Sequence, residues 1–327
     1  MYDDLLTFTS YAEVLHPTSL QREQLNSVST IPHQRVCRFQ DRGKDSPGLI
    51  GAVVEETVFD LSSSGITSLT EILEADNPSA VVQAATEAAA RRVQFADVIL
   101  LPPVERQEIW AAGVTYFRSK TARMEESDFS GTAYDRVYDA ARPEIFFKSL
   151  GEKAVGPGDS LGIRADAQWS VPEPELALVM NSRQELVGVT IGNDMSSRDI
   201  EGENLLYLPQ AKTYSRSCGL GPWIVLASQE DEIRTWGVTL TITRDGKTVF
   251  KGATGIDQLK RSFGELAGYL WQSQAFPAGV ILLTGTGIVP DDSFTLAAED
   301  IVTISIDGIG TLTNSIEVVG KPEATVG

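Results

Sequence analysis

Two glutamates separated by one residue, Glu173 and Glu175, stand at the start of an apolar segment that runs from Leu176 to Met180. Because residues i and i+2 of an extended strand point to the same side, both carboxylates should lie on one face. A polar turn over 181–185 separates this segment from a second apolar run, Leu186 to Ile191. This pattern is typical of a β-hairpin.

The hairpin brings a third carboxylate to the two glutamates. If the turn centres near residues 183–184, Glu173 lies roughly opposite Asp194, with Cβ atoms about 5 Å apart. Three negative charges at this separation repel, so the arrangement needs a cation. An all-oxygen set favours a hard ion, Mg2+ with Mn2+ or Ca2+ as alternatives, over zinc. A solvated strand face is the alternative for a Glu-x-Glu pair, but the apolar strand and the acidic partner favour the metal site.

Composition and charge limit the class of protein. The chain has 327 residues and a net charge of −18, which repels nucleic acid phosphates and anionic lipid. Cys37 and Cys218 lie far apart and form no disulfide or metal-finger pattern. Nothing near Met1 resembles a signal peptide, and no apolar run approaches the ~20 residues of a membrane span. We therefore expect a soluble, cytoplasmic protein whose partner is a small molecule, neither nucleic acid nor membrane.

The N-terminal third has its own pattern. Residues 1–34 are polar and poorly periodic, which indicates an extension or arm. Alternating apolar segments over 35–60 predict a small sheet. Two helices are predicted next, over about 68–75 and 78–92, the second ending in Arg91-Arg92 as a helix C-terminus prefers.

The Leu101-Pro-Pro-Val104 segment breaks this pattern. It divides the arm and a small N-terminal α/β domain, 1–103, from a second domain, 104–327. The second domain is predicted to be mostly strands and turns, with helix confined to about 256–274, where apolar residues recur at helical spacing. Two further hairpins are predicted, with turns at Asp245-Gly246 and Asp307-Gly308.

An ordered set of short motifs in the second domain resembles the fumarylacetoacetate hydrolase superfamily over roughly residues 105–318. The motifs are Gly113-Val-Thr-Tyr116, Phe146-Phe-Lys148, Gly156-Pro-Gly158, Glu173-x-Glu175-Leu176, Gly188-x5-Asp194-x-Ser-x-Arg198-Asp199, Lys212, Gly221-Pro222 and Gly285-Thr286-Gly287. The resemblance implies a mainly β, α+β fold, a mixed β-sandwich roll. It also implies Mg2+ held by Glu173, Glu175 and Asp194, and a homodimer or homotetramer.

One departure from the family narrows the reaction. Many hydrolases of the family carry a Gly-Leu-Asn-Tyr-x-x-His motif, but Ser119 stands at the histidine position here, and the chain's two histidines are His16 and His33. Hydrolysis by a histidine base is therefore not expected. The variant Ser119-Lys-Thr-Ala-Arg123, together with the segments 142–148 and 207–212, resembles the sugar-acid dehydratase branch of the family. That resemblance implies dehydration of a 2-keto-3-deoxy sugar acid, the D-arabinonate or xylonate derivative, to 2,5-dioxopentanoate in pentose catabolism.

Such a dehydration needs a base for the C3 proton and an acid for the C4 hydroxyl. Glu144 is the first candidate, since it precedes an apolar strand where partial burial would raise its pKa; an ion pair with Arg142 is the alternative. Lys148 and Lys212 are expected to carry the second role or to neutralise the substrate carboxylate. The alternatives are that Lys148 extends its ammonium to the surface and that Lys212 is a solvated loop residue.

Substrate contacts are expected from four residues. By the resemblance, Thr286 binds the substrate carboxylate, although Gly-Thr-Gly alone also suits a tight turn. Arg198 is expected to orient the ligand carboxylates or the substrate, or to form a salt bridge behind them. The polar segment 117–141 is predicted to be a lid, on which Ser119 and Arg123 share one helical face toward the substrate; a merely solvated helix is the alternative. No nucleotide cofactor is expected, because the sequence has no dinucleotide fingerprint or phosphate loop.

Two other functions remain open at this stage. The same fold and metal suit a C–C hydrolase of acylpyruvates or a decarboxylase of oxaloacetate-like acids. A non-catalytic sugar-acid binding protein would also bind a keto acid with Mg2+, but the joint presence of Glu144, Lys148 and Lys212 argues against it.

Overall fold

In the part of the chain that the structure describes, the strands form two β-sheets, of eleven and five strands, and a two-stranded ribbon. The computed structural model describes residues 33–44, 47–116, 137–226 and 229–321, which lie within one compact unit, Pro32–Gly327. Most of the predicted arm and most of the predicted lid lie outside the described residues. The mainly β fold predicted from the sequence is confirmed.

The strands follow the chain in this order. They are β1 (Arg35–Asp41), β2 (Leu49–Val54), β3 (Thr57–Asp60), β4 (Arg92–Gln94), β5 (Val98–Leu101), β6 (Glu108–Gly113), β7 (Glu144–Leu150), β8 (Ser160–Arg164), β9 (Ser170–Val171), β10 (Pro174–Met180), β11 (Leu186–Asp194), β12 (Ser196–Ser197), β13 (Cys218–Leu226), β14 (Gly237–Arg244), β15 (Lys247–Gly255), β16 (Val280–Leu283), β17 (Ile301–Ile306) and β18 (Gly310–Val319).

The α-helices of the described residues are short. They are α1 (Leu69–Leu73), α2 (Pro78–Ala88), α3 (Arg198–Glu203), α4 (Leu208–Lys212), α5 (Glu230–Ile233) and α6 (Phe263–Trp271). In this part of the chain no helix combines the length and hydropathy needed to cross a membrane.

The large sheet runs β4-β3-β2-β1-β13-β11-β10-β16-β6-β7, with β5 paired to β1, and the smaller sheet runs β15-β14-β17-β18-β8. Strand β10 is buried on both faces. Its Leu176 and Leu178 share a core with Leu240 and Ile304 of the smaller sheet. On the opposite face, Ala177 and Val179 belong to a second core that includes apolar residues of α1 and α2. The centre of the large sheet is therefore a buried layer between strands and helices, which explains its continuous apolar runs.

The predicted hairpin is formed by β10 and β11. Pro174 lies opposite Asn193 and Glu175 opposite Gly192, and the backbone N–H of Asp194 donates to the carbonyl of Glu173 at 3.0 Å. The Asn181 side chain closes the turn by accepting from the N–H groups of Arg183 and Glu185. The prediction that Glu173 lies opposite Asp194 is confirmed.

Two predicted helices are longer than the observed ones. Helix α2 ends at Ala88, so Arg91 does not cap it; instead the Arg91 guanidinium donates to Asp60 at 2.9 Å. The helix predicted over 256–274 begins only at Phe263, because the Ser262 hydroxyl caps it by accepting from the N–H of Glu265 at 3.1 Å. The expectation that helix is confined to that segment is also wrong, since α3, α4 and α5 lie outside it.

The other two predicted hairpins are present as β14–β15 and β17–β18. Asp245 and Gly246 have φ of 51° and 73°, and Gly308 has φ of 74°, as tight hairpin turns require. The predicted division after residue 103 stays a prediction. The large sheet continues across it, because β1 pairs antiparallel with β13.

Candidate active site

Glu173, Glu175 and Asp194 form one buried cluster at the end of the β10–β11 hairpin. Each is at most 3% exposed, and one carboxylate oxygen from each lies within 4.8 Å of the others. Carboxylate oxygens at this spacing are the donor set that Mg2+ prefers. The residues predicted as metal ligands are therefore brought together by the fold.

The electrostatics of Glu175 also favour a bound cation. Burial raises the pKa of Glu175 well above its ordinary value, and the charges of Asp194 and Glu173 raise it further. Its carboxylate accepts a hydrogen bond from the backbone N–H of Gly285 at 2.6 Å. A divalent ion among these oxygens would relieve the repulsion that otherwise favours the protonated acid.

Hydrogen bonds of Thr115 and Thr284 hold the backbone that follows β16 next to Glu175. The Thr115 hydroxyl donates to the carbonyl of Thr284 at 2.7 Å, and the Thr284 hydroxyl donates to the carbonyl of Leu176 at 3.0 Å. Gly285, with φ of 93°, follows directly, and a Cβ there would meet the Thr115 hydroxyl at 2.0 Å. These contacts hold the Gly285 N–H against Glu175.

Lys212 lies at the C-terminal end of α4 and is fully buried. Its Nζ donates to Glu173 Oε2 at 2.7 Å and to Asp194 Oδ2 at 3.1 Å, and it also bonds to the Ser196 hydroxyl. The ring of Phe146 lies 5.6 Å from the same ammonium. Lys212 is therefore directed at the acids and is not a solvated loop residue.

Lys148 on β7 is also fully buried, so it does not extend to the surface. Its Nζ forms an ion pair with Asp194 Oδ1 at 2.5 Å. Arg198, at the start of α3, places a guanidinium nitrogen 3.1 Å from Glu173 Oε1. Three cations, the side chains of Lys148, Lys212 and Arg198, thus surround three acids.

Glu144 begins β7 directly opposite Gly113 of β6. Its carboxylate lies over that glycine so closely that a Cβ on Gly113 would be 2.0 Å from Glu144 Oε2. Phe146, two residues further along β7, contacts Lys212, which indicates that this face of the strand is turned toward the acids. Arg142, the partner considered for Glu144 in the sequence, stacks over the ring of Tyr269 at 5.4 Å.

Thr286 is buried in the turn after β16, where its hydroxyl donates to the Ile288 carbonyl and accepts from the Ile288 N–H. The substrate contact expected of Thr286 stays a prediction. Ser119 and Arg123 lie outside the described residues, so their expected role in the lid stays a prediction as well. His33 forms a contact with Glu232 at 3.0 Å.

The fold and the acid cluster together define the class of protein. Residues 108–317 match the fumarylacetoacetate (FAA) hydrolase C-terminal family. The chain belongs to this family, which confirms the resemblance seen in the motifs.

Two of the similar proteins are named as dehydratases. A probable 2-keto-3-deoxyxylonate dehydratase of Haloferax volcanii is 48% identical over 225 residues, which are 69% of this chain and 77% of that protein. A 2-dehydro-3-deoxy-D-arabinonate dehydratase of Saccharolobus solfataricus is 40% identical over 227 residues, 68% of this chain and 76% of that protein. The chain is thus similar to enzymes that dehydrate 2-keto-3-deoxy pentonates.

A solved structure of 2-keto-3-deoxy-D-arabinonate dehydratase, complexed with magnesium and 2,5-dioxopentanoate, has the same fold. It aligns with a TM-score of 0.72 and 33% identity over 88% of this chain and all of that chain. The apo form of the same enzyme aligns with a TM-score of 0.72 and 34% identity, again over 88% of this chain and all of the other.

Several side chains at the site were not singled out from the sequence. Ser196 bonds to Lys212, Thr115 anchors the backbone before Gly285, and Gly113 provides space for Glu144. Each lies inside a motif that carried the family resemblance. The motif positions therefore marked them, but only the fold shows what they contact.

Proposed function

We propose that this protein is a Mg2+-dependent dehydratase that converts a 2-keto-3-deoxy pentonate into 2,5-dioxopentanoate and water. The convergence of Glu173, Glu175 and Asp194 with two buried lysines carries this proposal. The dehydratase relatives and the magnesium-containing structure of one such enzyme support it.

The acids Glu173, Glu175 and Asp194 would hold Mg2+. When bound there, Mg2+ would supply Lewis acidity toward a 2-keto acid, which would make its C3 protons more acidic. Arg198 keeps Glu173 oriented through its contact at 3.1 Å, and the Gly285 N–H keeps Glu175 oriented. Such supporting contacts fix ligand geometry.

Glu144 and Lys212 are the groups we assign to proton transfer. The Glu144 carboxylate accepts a proton from C3, and the Lys212 ammonium donates one to the C4 hydroxyl, which leaves as water. Loss of one proton from C5 and of the C5 hydroxyl proton, with return of one proton each to C3 and C4, then gives the aldehyde. The overall change is loss of one water, without an oxidant, a reductant or a nucleophilic side chain.

The substrate contains a single stereocentre, C4, because C2 is a ketone and C3 carries two hydrogens. The D-arabinonate and D-xylonate derivatives are therefore one compound, and the specificity question reduces to the D or L configuration at C4 and to chain length. We propose that Thr286 contacts this substrate, as the family resemblance implies, and that Ser119 and Arg123 do so as well, as their spacing of four residues on the predicted lid indicates.

The test is a product assay with synthetic D- and L-2-keto-3-deoxy pentonates, an acylpyruvate and oxaloacetate, each with Mg2+. We expect 2,5-dioxopentanoate from a pentonate, with deuterium at C3 when the reaction runs in deuterated water. Rapid cleavage of the acylpyruvate or release of pyruvate from oxaloacetate, without semialdehyde, would replace the dehydratase with a hydrolase or decarboxylase. Tight binding of keto acids without turnover would indicate a binding protein.

We also propose that the protein is a homodimer or homotetramer, as the family resemblance implies, and that it is located in the cytoplasm. Light scattering coupled to size-exclusion chromatography measures the oligomeric state directly, and a monomer at working concentration would contradict the proposal.

A further inference from the structure

The two buried lysines at the acid cluster bond to different kinds of atoms. Lys212 donates to side-chain oxygens: those of Glu173, Asp194 and Ser196. Lys148 pairs with one side chain, Asp194, and donates to two backbone carbonyls, that of Met195 at 2.9 Å and that of Lys212 at 2.5 Å.

These contacts occupy every donor of Lys148. An ammonium has three protons and no acceptor, and Lys148 has three acceptors around it in a fully buried position. A bound metal would compete only for the contact with Asp194, since the carbonyls of Met195 and Lys212 lie outside the proposed ligand set and would keep two of the three Lys148 contacts. The acids that hold Lys212, in contrast, are the ligands themselves, so their rearrangement around Mg2+ changes what Lys212 contacts.

The backbone of β7 aims Lys148 at these carbonyls. Across the β6–β7 pairing, Ile109 lies opposite Ser149 and Trp110 opposite Phe147, so Lys148 is the extra residue of a bulge. Lys148 nevertheless follows the alternation of the strand, because Phe146, two residues earlier, is directed at Lys212 as well. The carbonyls that Lys148 reaches are 47 and 64 residues away along the chain.

We propose that Lys148 is a positioning residue rather than a proton carrier, an inference that rests on the proposed function. It joins the backbone beside Asp194 to the backbone of Lys212, and so it sets the distance between a metal ligand and the lysine that transfers protons. Ser217 helps to hold the Lys212 backbone in place, because its hydroxyl also donates to the Lys212 carbonyl, at 3.0 Å.

The first experiment compares Lys148→Met with Lys212→Met, a matched pair of buried lysines at one site. In the metal-free proteins, amide hydrogen exchange over residues 205–217 should become at least roughly tenfold faster in Lys148→Met, because hydrogen bonds to backbone carbonyls are lost. It should stay near the wild-type rate in Lys212→Met, because the Lys212 ammonium bonds to side-chain oxygens of the acid cluster.

The second readout is the pH dependence of turnover. Lys148→Met should lower kcat but keep the shape of the wild-type pH profile, whereas Lys212→Met should lose one limb of that profile. Unchanged exchange together with a lost limb in Lys148→Met would overturn the proposal and make Lys148 a proton carrier. Wild-type exchange and wild-type kcat in that variant would also overturn it.

Ser217→Ala keeps the inference testable if Lys148→Met does not fold. This variant removes the hydrogen bond to the Lys212 carbonyl, together with the one that the Tyr214 N–H donates to the Ser217 hydroxyl, and leaves every charge in place. The amide of Tyr214 is therefore left out of the comparison. Exchange over 205–217 should rise by a few fold, with a smaller fall in kcat and an unchanged pH profile. An unchanged exchange rate would contradict the proposal that hydrogen bonds to the Lys212 carbonyl hold this part of the backbone. Because exchange is measured without substrate, wild-type inactivity on pentonates would refute only the proposed function.

Discussion

Two clusters of acids in this protein differ in how their cations are placed. In the N-terminal strands, Arg91 lies between Asp41 and Asp60 and bonds to both, so the cation separates the carboxylates. At the end of the β10–β11 hairpin, oxygens of three acids converge within 4.8 Å and the cations lie around them. A cluster built for stability places its cation between the acids, whereas the acids of a metal site converge on one point.

The pKa shifts follow this difference. The guanidinium of Arg91, followed by the ammonium of Lys44, lowers the pKa of Asp41. Burial and neighbouring acids instead raise the pKa of Glu175, against the opposing charge of Lys212. The charged form of Asp41 is stabilised by the cationic side chains beside it. The charged form of Glu175 is disfavoured by burial and by its acidic neighbours, so a bound metal cation would stabilise it.

Glu175→Gln should have the largest effect of any change considered. It removes a metal ligand while keeping the side-chain shape, so Mg2+ binding should be lost and turnover should fall roughly a thousandfold or more. The fold should survive, because burial already favours the neutral form of this residue. Isothermal titration with Mg2+ and a thermal unfolding curve measure both expectations. Full activity of the variant in chelator would contradict the metal site.

Glu144→Gln should slow turnover without weakening the binding of Mg2+ or of a 2-keto acid. We expect the variant to bind Mg2+ and a 2-keto acid like the wild type while turnover falls by at least roughly a hundredfold, as for a lost acid–base group. Titration of Mg2+ and pyruvate, beside steady-state rates, provides the comparison. A kcat within a few fold of the wild type would assign proton transfer to another residue.

Gly113→Ala should lower turnover by misplacing Glu144. The new methyl group would lie 2.0 Å from Glu144 Oε2, so that carboxylate must move, and a displacement of this size costs roughly a hundredfold in rate. Mg2+ affinity should not change. The matched control is Gly268→Ala on α6, where nothing lies within 4 Å of the added Cβ. A Gly113→Ala enzyme with wild-type kcat would refute the placement of Glu144.

The sequence predicted the hairpin register because two local features fix it. Side chains alternate with a period of two, and a polar turn of defined length sets which residues face each other. Glu173 and Asp194 can therefore be paired from the amino-acid pattern alone. The register observed from Pro174 to Val179 agrees with that pairing.

Long-range contacts could not be predicted in the same way. The roles of Lys148 and Lys212 depend on backbone 64 residues apart, and no local pattern encodes that contact. Helices α3 and α4 were missed because six and five residues are too few to show helical periodicity. Glycine at 113 was visible in the sequence, but only the pairing of β6 with β7 shows that Glu144 needs the space.

Arg91→Met should affect stability and leave the active site intact. Asp60 is buried, so loss of its partner should destabilise the fold by about 1–3 kcal/mol. Mg2+ affinity and kcat should match the wild type. Arg183→Met, at exposed ion pairs with Glu74 and Glu185, is the control and should leave stability close to that of the wild type. A loss of Mg2+ binding in Arg91→Met would show that the two clusters are not independent.

The smallest expected effect is a pH dependence of metal-free stability. The folded-state pKa of Glu175 lies above its ordinary value of 4.5, so the folded protein retains a proton that the unfolded chain releases. This contribution to stability is complete below pH 4.5 and is lost as the pH rises through the folded-state pKa. In EDTA, the melting temperature of the wild type should therefore fall relative to Glu175→Gln as the pH rises, by about a few degrees. Added Mg2+ should reverse the fall in the wild type alone, and parallel melting curves for both proteins at all pH values would contradict the raised pKa.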